Sequence, residues 1–528
     1  MRAISILNDV LGPVMRGPSS SHTAGSYHLA STARSLFGGQ PDAARIAFDP
    51  AGSYAACYRT QGSDLAFATG LLGWAITDDR FPHALREAPR AGLDLQFVVE
   101  PLDRADHPNT VEMRLQARGG RSMRLRGQSV GGGAVRIVDV DGWPVSLDGA
   151  CHETLVETTC RDAAPVTAAL EEAGDNLAPL LRVEREVRAL IVARRGSPLP
   201  RPTAERIARL AVVARVLSGA PLAWVKRGRP LFDSAAGLEA VATAEGLTAG
   251  RAAARSEARL LGIPEQTVLD EVARRVDIMV TAVRRGLSGD TPPMQLLRPT
   301  AARIAHAEQA GRLPGGGLHA RAAIRALAAM HVNCSGGVVC AAPTAGSAGV
   351  LPAVVATLLE ERSASREQIA LALLAAGAIG QIVAERSTFA AEVAGCQVEI
   401  GAAGAMAAAA VVDFAGGTAR QACDAAAIAF QNTMGSVCDL VQGIVEIPCH
   451  TRNAAAASAA FVNADLVLGG YENPVPLDET IDAVHSVGLA MPAELRVTSR
   501  GGLAMAPSAR ALPRLNDASA RPAEGRSL

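Results

Sequence analysis

The chain has 528 residues, too many for one hydrophobic core, so about two to four domains are expected. Its 51 Lys and Arg residues nearly balance its 52 Asp and Glu residues, which excludes an electrostatic case for nucleic acid or an anionic membrane as partner. The N-terminus lacks the pattern of a signal peptide, and apolar stretches such as 369–384 fall short of the ~18 apolar residues of a membrane span. We therefore expect a cytoplasmic protein with no membrane partner.

The N-terminal part of the chain alternates strand-like and helical patterns. Residues 1–160 are therefore predicted to form an α/β domain. Short apolar runs bounded by turn residues predict its strands, and longer runs predict its helices. The predicted strands cover 44–50, 93–100, 109–118 and 133–143, and the predicted helices cover 22–37 and 65–77.

The composition changes after about residue 160. The charged segment 161–200 is predicted to be a helical linker that ends in a proline-rich connector. Ala and Gly dominate residues 201–512, where runs such as 366–385 and 404–430 have the length of buried helices. The polar tail 513–528 is predicted to be disordered. The fold class is thus α+β, with an α/β domain followed by a mostly all-α, Ala/Gly-rich domain.

The stretch GPSSSHTAG, residues 17–25, is the first candidate site. Pro and Gly break regular structure, and Ser and Thr are preferred at helix N-caps, so the stretch predicts a loop that opens into a helix. Hydroxyls and backbone N–H groups at such a junction suit an anionic ligand such as a carboxylate. An ordinary capped helix explains the same residues.

Three of the nine cysteines lie beside Gly or Pro rather than inside an apolar stripe. Cys396, Cys438 and Cys449 are 42 and 11 residues apart, which fits neither a zinc knuckle nor a ferredoxin run. Three thiolates can hold three irons of a [4Fe–4S] cluster and leave the fourth iron open as a Lewis acid. Taken alone, the spacing favours three separate core cysteines. Cys334 and Cys340 are assigned to the core.

Eight motifs taken together resemble those of the iron–sulfur-dependent L-serine dehydratases. The chain is similar to a fusion of that family's β part, residues 1–160, with its α part, within residues 201–512. The motifs are GPSSSHTAG, HPNTV, SVGGG, RRGLSG, AAPTAGSAGVLPAV, AGCQVEIG, VCDLVQGIVEIPCHTRN and RGGLAMAPSA. The resemblance implies a [4Fe–4S] enzyme without pyridoxal phosphate, a small amino-acid substrate, a homodimer, and an active site between the two domains.

The same resemblance implies roles for individual residues. The family's cluster ligands fall on Cys396, Cys438 and Cys449. The base is left open among His22, a hydroxyl of residues 19–21 and a group in residues 344–349. The implied catalytic residues are His22, Ser20 and Ser21, and the implied substrate-binding residues are Ser19, Thr23, Gln61, Asp64, Thr344 and Ser347.

Two departures from the family pattern leave the substrate open. Gln61 stands where the family has an active-site histidine, and an amide cannot shuttle a proton near neutral pH. Leu440 replaces the proline that usually follows the CD motif. A third departure concerns the cluster: the tail lacks the cysteine that ends some single-chain members and caps the open iron, so the fourth iron is expected to be free for solvent or substrate. The function implied is dehydration and deamination of L-serine to pyruvate and ammonia. The alternatives are a lyase for threonine or cysteine and a non-catalytic amino-acid sensor.

Overall fold

The computed structural model describes residues 3–210 and 215–515 of the chain. By their internal contacts these residues form two compact units, each described separately below. Within the described residues, the mixed unit comprises 20–210, 215–229 and 260–262, and the helical unit comprises 3–19, 230–259 and 263–515.

The described part of the chain contains twelve strands. They are β1 (Val14–Arg16), β2 (Ala43–Phe48), β3 (Asp94–Val99), β4 (Thr110–Gln116), β5 (Ser122–Gly131), β6 (Ala134–Val140), β7 (Trp143–Leu147), β8 (His152–Thr159), β9 (Leu181–Arg185), β10 (Arg188–Arg195), β11 (Arg215–Gly219) and β12 (Val338–Cys340).

Nineteen α-helices lie within the same described ranges. They are α1 (Gly25–Phe37), α2 (Ser53–Cys57), α3 (Ser63–Leu72), α4 (Ala84–Arg90), α5 (Ala163–Glu172), α6 (Arg201–Arg209), α7 (Ala235–Glu245), α8 (Ala249–Leu261), α9 (Glu265–Leu287), α10 (Ala301–Gln309), α11 (Leu318–Cys334), α12 (Val350–Glu361), α13 (Arg366–Arg386), α14 (Ala391–Ala394), α15 (Ile400–Phe414), α16 (Ala419–Thr433), α17 (Cys449–Leu468), α18 (Leu477–Ala490) and α19 (Pro507–Arg510).

The larger sheet of the mixed unit has six strands in the order β3-β2-β4-β5-β6-β7. β2 and β3 are parallel, and every other neighbouring pair is antiparallel. Because successive strand residues face opposite sides, Val111, Met113 and Leu115 of β4 share one face, and all three are fully buried. They belong to one core cluster with Leu29 and Leu36 of α1. This core supports the start of α1, where the GPSSSHTAG stretch ends.

A second sheet of the mixed unit has the order β11-β8-β10-β9, with every pair antiparallel. With α5 after β8 and α6 after β10, the chain order is β-α-β-β-α-β, the split βαβ arrangement of ferredoxin-like folds. The prediction that 161–200 is a helical linker is therefore wrong beyond α5. The apolar centre of β10, Ala189–Ala193, is buried by pairing with both neighbouring strands, which outweighs the charged residues around it.

The N-terminal segment packs within the helical unit, not within the α/β domain to which residues 1–160 were assigned. The carboxylate of Glu257 accepts hydrogen bonds from the Ser5 hydroxyl, at 2.5 Å, and from the backbone N–H groups of Ile6, at 2.9 Å, and Leu7, at 3.0 Å. A buried carboxylate needs such partners, so these bonds hold the segment in place.

The centre of the helical unit is α15, which packs against α13, α16 and α17. Every residue from Ile400 to Asp413 is buried, and most of them are Ala or Gly. Small side chains let helix backbones approach closely, which explains why the sequence of this unit is so rich in Ala and Gly.

Two helical stretches in the described residues are long and apolar enough to cross a membrane by length and composition, contrary to the expectation from the sequence. They are Arg366–Arg386 and Cys396–Phe414, and 78% and 89% of their most apolar windows are buried inside the protein. Such burial is typical of core helices in a soluble protein.

The α+β class predicted from the sequence is confirmed, with mixed sheets and helices first and a largely helical part after them. The four predicted strands of the N-terminal part correspond to β2, β3, β4 and β6. Its predicted helix 22–37 contains α1, and its predicted helix 65–77 overlaps α3, which begins two residues earlier and ends at Leu72. The prediction of a disordered tail falls almost wholly outside the described residues, which end at 515.

Candidate functional site

Cys396 begins a short 3-10 turn that only glycine can precede. Gly395 has φ of +75°, and a Cβ there would lie 2.9 Å from the carbonyl oxygen of Ser436. The next residue, Gln397, donates its backbone N–H to that same carbonyl, and its side-chain oxygen accepts the N–H of Gly435 at 2.8 Å. The GCQ turn is thereby fixed to the loop that follows α16.

Cys438 lies in that loop and is held by backbone hydrogen bonds on both sides. Its N–H donates to Leu495 at 2.8 Å, and its carbonyl accepts from Val497 at 2.8 Å. The neighbouring Asp439 accepts the backbone N–H of Leu503 at 2.8 Å, in the RGGLAM motif. The C-terminal motif thus positions the cysteine-bearing loop.

Cys449 is the first residue of α17. One turn further, Arg452 donates to the carbonyl of Val437 at 2.7 Å and forms an ion pair with Asp439 at 3.0 Å. The Asp439 side chain is buried, and the Arg452 side chain is 31% exposed, so this pair is partly shielded from water. Arg452 therefore ties the start of α17 to the loop of Cys438.

The glycine-rich segment 341–349 is tied to the same helix. The side-chain amide of Asn453 donates to the carbonyls of Gly346 and Cys449, and its oxygen accepts the N–H of Gly349 at 3.0 Å. The side chain of Asn453 is fully buried, so all of these bonds are made away from water. The segment that carries Thr344 and Ser347 is thus fixed beside the start of α17.

The donor atoms of Cys396, Glu399 and Cys438 lie within 4.8 Å of one another. The Thr344 hydroxyl hydrogen-bonds the Glu399 carboxyl group and lies 3.2 Å from the Ser347 hydroxyl. The helical unit therefore brings together two of the predicted ligands, Cys396 and Cys438, and two of the residues predicted to bind substrate, Thr344 and Ser347.

The third cysteine shares the electrostatic environment of this group. Burial, followed by the negative charges of Cys396 and Glu399, raises the pKa of the Cys449 thiol well above its usual range. The pKa of Cys396 is lowered, chiefly by a hydrogen bond with Cys438 and also by Arg452. The hydrogen bond that the Cys438 thiol donates to Cys396, together with burial, raises the pKa of Cys438. All three thiols are buried.

This donor set fits an iron–sulfur group. Thiolate sulfur is the ligand of such clusters, and an added oxygen donor suits an iron that also acts as a Lewis acid. All three cysteines lie on turns, loops or a helix start instead of within a helix, and Arg452 supplies a compensating positive charge. Glu399 and Arg452 were not identified from the sequence, although both lie inside the quoted motifs.

Cys334 and two histidines pack close to Cys449. The Nε2 atom of His450 lies 3.3 Å from the Cys334 sulfur, and the rings of His331 and His450 are 5.3 Å apart. The Cys340 thiol is fully buried, as expected for a core cysteine. Cys334 is partly exposed and bonded to a polar side chain, so its assignment to the core is wrong.

His22 forms a second candidate site in the mixed unit. Its Nε2 atom lies 2.9 Å from the hydroxyl of Ser53, a residue not identified from the sequence. Its carbonyl accepts the hydroxyls of Ser26 and Ser63, which fixes the backbone around the ring. Burial lowers the pKa of His22 to about 4, so the imidazole is neutral at pH 7.

The other predicted residues of the mixed unit are Ser20, Ser21, Thr23, Gln61 and Asp64. The Thr23 hydroxyl donates to the carbonyl of Gln61 at 2.7 Å. The loop in which Gln61 replaces the family's histidine therefore lies beside the GPSSSHTAG stretch. Ser20 and Asp64 are buried, and burial raises the pKa of Asp64. Ser19, also predicted to bind substrate, is grouped with the helical unit.

The geometry corrects one detail of the GPSSSHTAG prediction. Residues 20–24 form a π-helical turn that continues into α1. Ala24 occupies the N-cap and supplies no side-chain bond, so the serine and threonine hydroxyls do not cap this helix. Those of Thr23 and Ser26 bind backbone carbonyls instead.

Together, the fold and the site define an α+β protein with a buried thiolate and carboxylate centre that is able to hold a metal. The model of one family, described as "Serine dehydratase alpha chain", matches residues 171–504. Because this match covers more than half of the chain, the protein belongs to the serine dehydratase alpha chain family. The match leaves out the first 170 residues, so their resemblance to the family's β part stays a prediction.

Several individual proteins are similar to this chain. The probable L-serine dehydratase alpha chain of Bacillus subtilis (strain 168) is 40% identical over 47% of this chain and 83% of its own length. The L-serine dehydratase alpha chain of Peptoniphilus asaccharolyticus is 38% identical over 46% of this chain and 82% of its own length. L-serine dehydratase TdcG of Escherichia coli (strain K12) is 41% identical over 34% of this chain and 40% of its own length.

Proposed function

We propose that this protein is a cytoplasmic, homodimeric L-serine ammonia-lyase that uses a [4Fe–4S] cluster and no pyridoxal phosphate. It converts L-serine to pyruvate and ammonia. The observation that carries the proposal is the convergence of Cys396, Cys438 and Glu399 at one site of a chain in the serine dehydratase family, with Cys449 in the same electrostatic environment.

The cofactor would be held by the three thiolates of Cys396, Cys438 and Cys449. When bound, such a cluster with an iron open to substrate supplies a Lewis acid that polarises the departing hydroxyl group. The chain holds these thiolates in fixed positions through Gln397 and Arg452, so the protein need not reorganise when the group is bound.

The segment of Thr344 and Ser347 orients the amino acid in this proposal. Their hydroxyls lie beside the donor group, and the backbone of the segment is fixed by Asn453. A rigid support of this kind holds a substrate in one geometry and so reduces the entropic cost of reaching the transition state.

His22 is the proposed proton acceptor. Because burial holds its pKa at about 4, the ring is neutral and able to accept the Cα proton at pH 7. Ser53 hydrogen-bonds Nε2 and so fixes the ring. Ser20, Ser21 and the hydroxyls of 344–349 stay as the other candidates for the base. Loss of water leaves an enamine, which tautomerises and hydrolyses to pyruvate and ammonia.

The experiment that tests the proposal measures iron, acid-labile sulfide and pyruvate formation on protein purified without oxygen. We expect about four irons and four sulfides per chain, as a [4Fe–4S] cluster requires, together with serine-dependent formation of pyruvate. Saturable serine binding without iron, after attempted reconstitution, would instead support the amino-acid sensor.

Threonine or cysteine is the alternative substrate. Gln61, whose carbonyl is bonded to Thr23, replaces the histidine of the family pattern next to His22. Initial rates with serine, threonine and cysteine on the same preparation distinguish the substrates. A kcat/KM for serine that does not exceed the other two would reject serine as the preferred substrate.

A further inference from the structure

Among the described residues, Glu399 is the one carboxylate that lies close enough to two of the cysteines to form a group of possible metal ligands with them. It lies three residues after Cys396 and immediately before α15. Its donor oxygen and the sulfur atoms of Cys396 and Cys438 are all within 4.8 Å of one another. An oxygen donor therefore stands beside the thiolates where a metal group would be held.

The surroundings of Glu399 keep its carboxylate at this position. The Thr344 hydroxyl hydrogen-bonds it on one side. A Cβ built on Gly346 would lie 3.6 Å and 3.7 Å from its two oxygens, so the backbone of the glycine-rich segment lies against the carboxylate. The group is thus packed between this segment and the cysteines.

The charges at the site also favour coordination to a cation. Cys396, Cys438, Cys449 and Glu399 are four anionic donors when deprotonated, and Arg452 offsets a single charge. Bound cations are often the largest local charges of a site, and they make such a concentration of anions favourable. Carboxylate oxygen is a harder ligand than thiolate sulfur, so it suits an iron that acts as a Lewis acid.

We propose that Glu399 is the fourth protein ligand of the iron–sulfur cluster when no substrate is bound. The inference rests on the proposed function, because it needs the cluster to be present. One coordinate bond from a Glu399 oxygen then closes the open iron to solvent. The carboxylate of an amino-acid substrate would compete with Glu399 for the same position, and such an exchange of ligands would involve no change in oxidation state.

The test uses the anaerobically purified holoenzyme with its cluster reduced, in water enriched in the magnetic isotope of oxygen. A labelled water bound to iron broadens the electron paramagnetic resonance signal of the cluster. We expect no broadening in the wild-type protein and clear broadening in Glu399→Ala, where water takes the empty position. If Glu399→Ala does not retain iron, Glu399→Gln, which has nearly the same shape, is measured in its place.

Glu392→Gln is the matched control. Its negative charge raises the pKa of Glu399, but its carboxylate is not part of the donor group. We expect this variant to behave as the wild-type protein does, with no broadening. Broadening in Glu392→Gln equal to that in Glu399→Ala would show that charge, and not ligation, closes the iron, and would overturn the inference.

The outcomes separate this inference from the proposed function. Broadening in the wild-type protein with four irons per chain would overturn the role of Glu399 and leave the cluster in place. The absence of broadening in an iron-loaded Glu399 variant would also overturn it, because another group would then close the iron. A protein that takes up no iron after reconstitution would overturn both proposals.

Discussion

Each of the three cysteines at the candidate centre is buried beside charged or polar groups that a core thiol does not need. We expect Cys396→Ser, Cys438→Ser and Cys449→Ser each to lose cluster iron and all measurable lyase activity, because a serine hydroxyl is a poor replacement for a thiolate ligand. Iron and sulfide content, with the visible absorbance of the cluster, measure the loss.

The control for these variants is Cys423→Ser. Cys423 is equally buried, but it lies on α16, where the negative charges of Glu239 and Asp424 help to raise its pKa. Iron content and activity should stay close to the wild-type values in this variant. Full iron content in Cys396→Ser, Cys438→Ser or Cys449→Ser would remove that residue from the ligand set.

His22 is the residue on which the proton-transfer proposal depends. We expect His22→Asn to lower kcat at least ~100-fold, since general base catalysis contributes about 10²–10⁴-fold. Iron content should not change, because the cysteines are held by other elements. His83→Asn, at an exposed position of the same unit, is the control and should retain the wild-type kcat. A His22→Asn variant with unchanged kcat would leave the hydroxyl candidates for the base.

At the scale of elements, the helical unit depends on close approach between helices. A Cβ on Gly286 of α9 would lie 2.0 Å from the carbonyl oxygen of Ala328 in α11, which is backbone and cannot move aside. We expect Gly286→Ala to lower the free energy of unfolding by about 1–3 kcal/mol or more, as overpacking does. Chemical denaturation followed by circular dichroism measures the change.

Gly404→Ala, on α15, is the matched substitution. Its added methyl group would be 3.5 Å from the Cβ of Ala456, an ordinary contact. Because alanine is the better helix former by up to about 1 kcal/mol, this variant should be as stable as the wild-type protein or slightly more stable. Equal losses of unfolding free energy in Gly286→Ala and Gly404→Ala would mean that these glycines do not set the spacing between the helices.

The elements also show what could be predicted from the sequence. Strands in which polar and apolar residues alternate, such as β4, and long Ala-rich helices, such as α15, have local patterns that reveal them. β9 and β10 were missed because Arg and Glu residues dominate β9 and flank the apolar centre of β10, which is buried by pairing with β8 and β9. Such pairing depends on residues distant in sequence, which a local pattern does not contain.

Part of the candidate site could likewise be predicted from the sequence, and part of it could not. The cysteines were found through a family resemblance, because their spacing alone favoured core residues. Glu399 lies within the quoted AGCQVEIG motif, yet its role becomes visible only when Thr344 and Gly346, more than fifty residues earlier, are placed against it. Ser53 was missed because an isolated serine carries no signal until it is placed against His22.

At the scale of the whole molecule, two buried groups of the mixed unit give the unfolding free energy opposite dependences on pH. Burial lowers the pKa of His22 to about 4, and burial raises the pKa of Glu153 to about 8. Between pH 4 and 6.5 the unfolded chain binds a proton that folded His22 does not, so stability rises with pH. Between pH 4.5 and 8 the folded state keeps a proton that unfolded Glu153 releases, so stability falls with pH.

Each group contributes about 1.4 kcal/mol per pH unit inside its own range, so the two effects cancel between pH 4.5 and 6.5. His22→Asn should therefore lose stability steadily from pH 4.5 to 8, while Glu153→Gln should gain stability up to pH 6.5 and then remain constant. All three tryptophans, Trp74, Trp143 and Trp224, lie in the mixed unit, so denaturation followed by tryptophan fluorescence reports this unit alone. If His22 and Glu153 control the stability of the unit, each variant shows the pH dependence of the group that remains, so the two profiles must differ in slope. Parallel profiles of unfolding free energy against pH would show that neither buried group controls this stability.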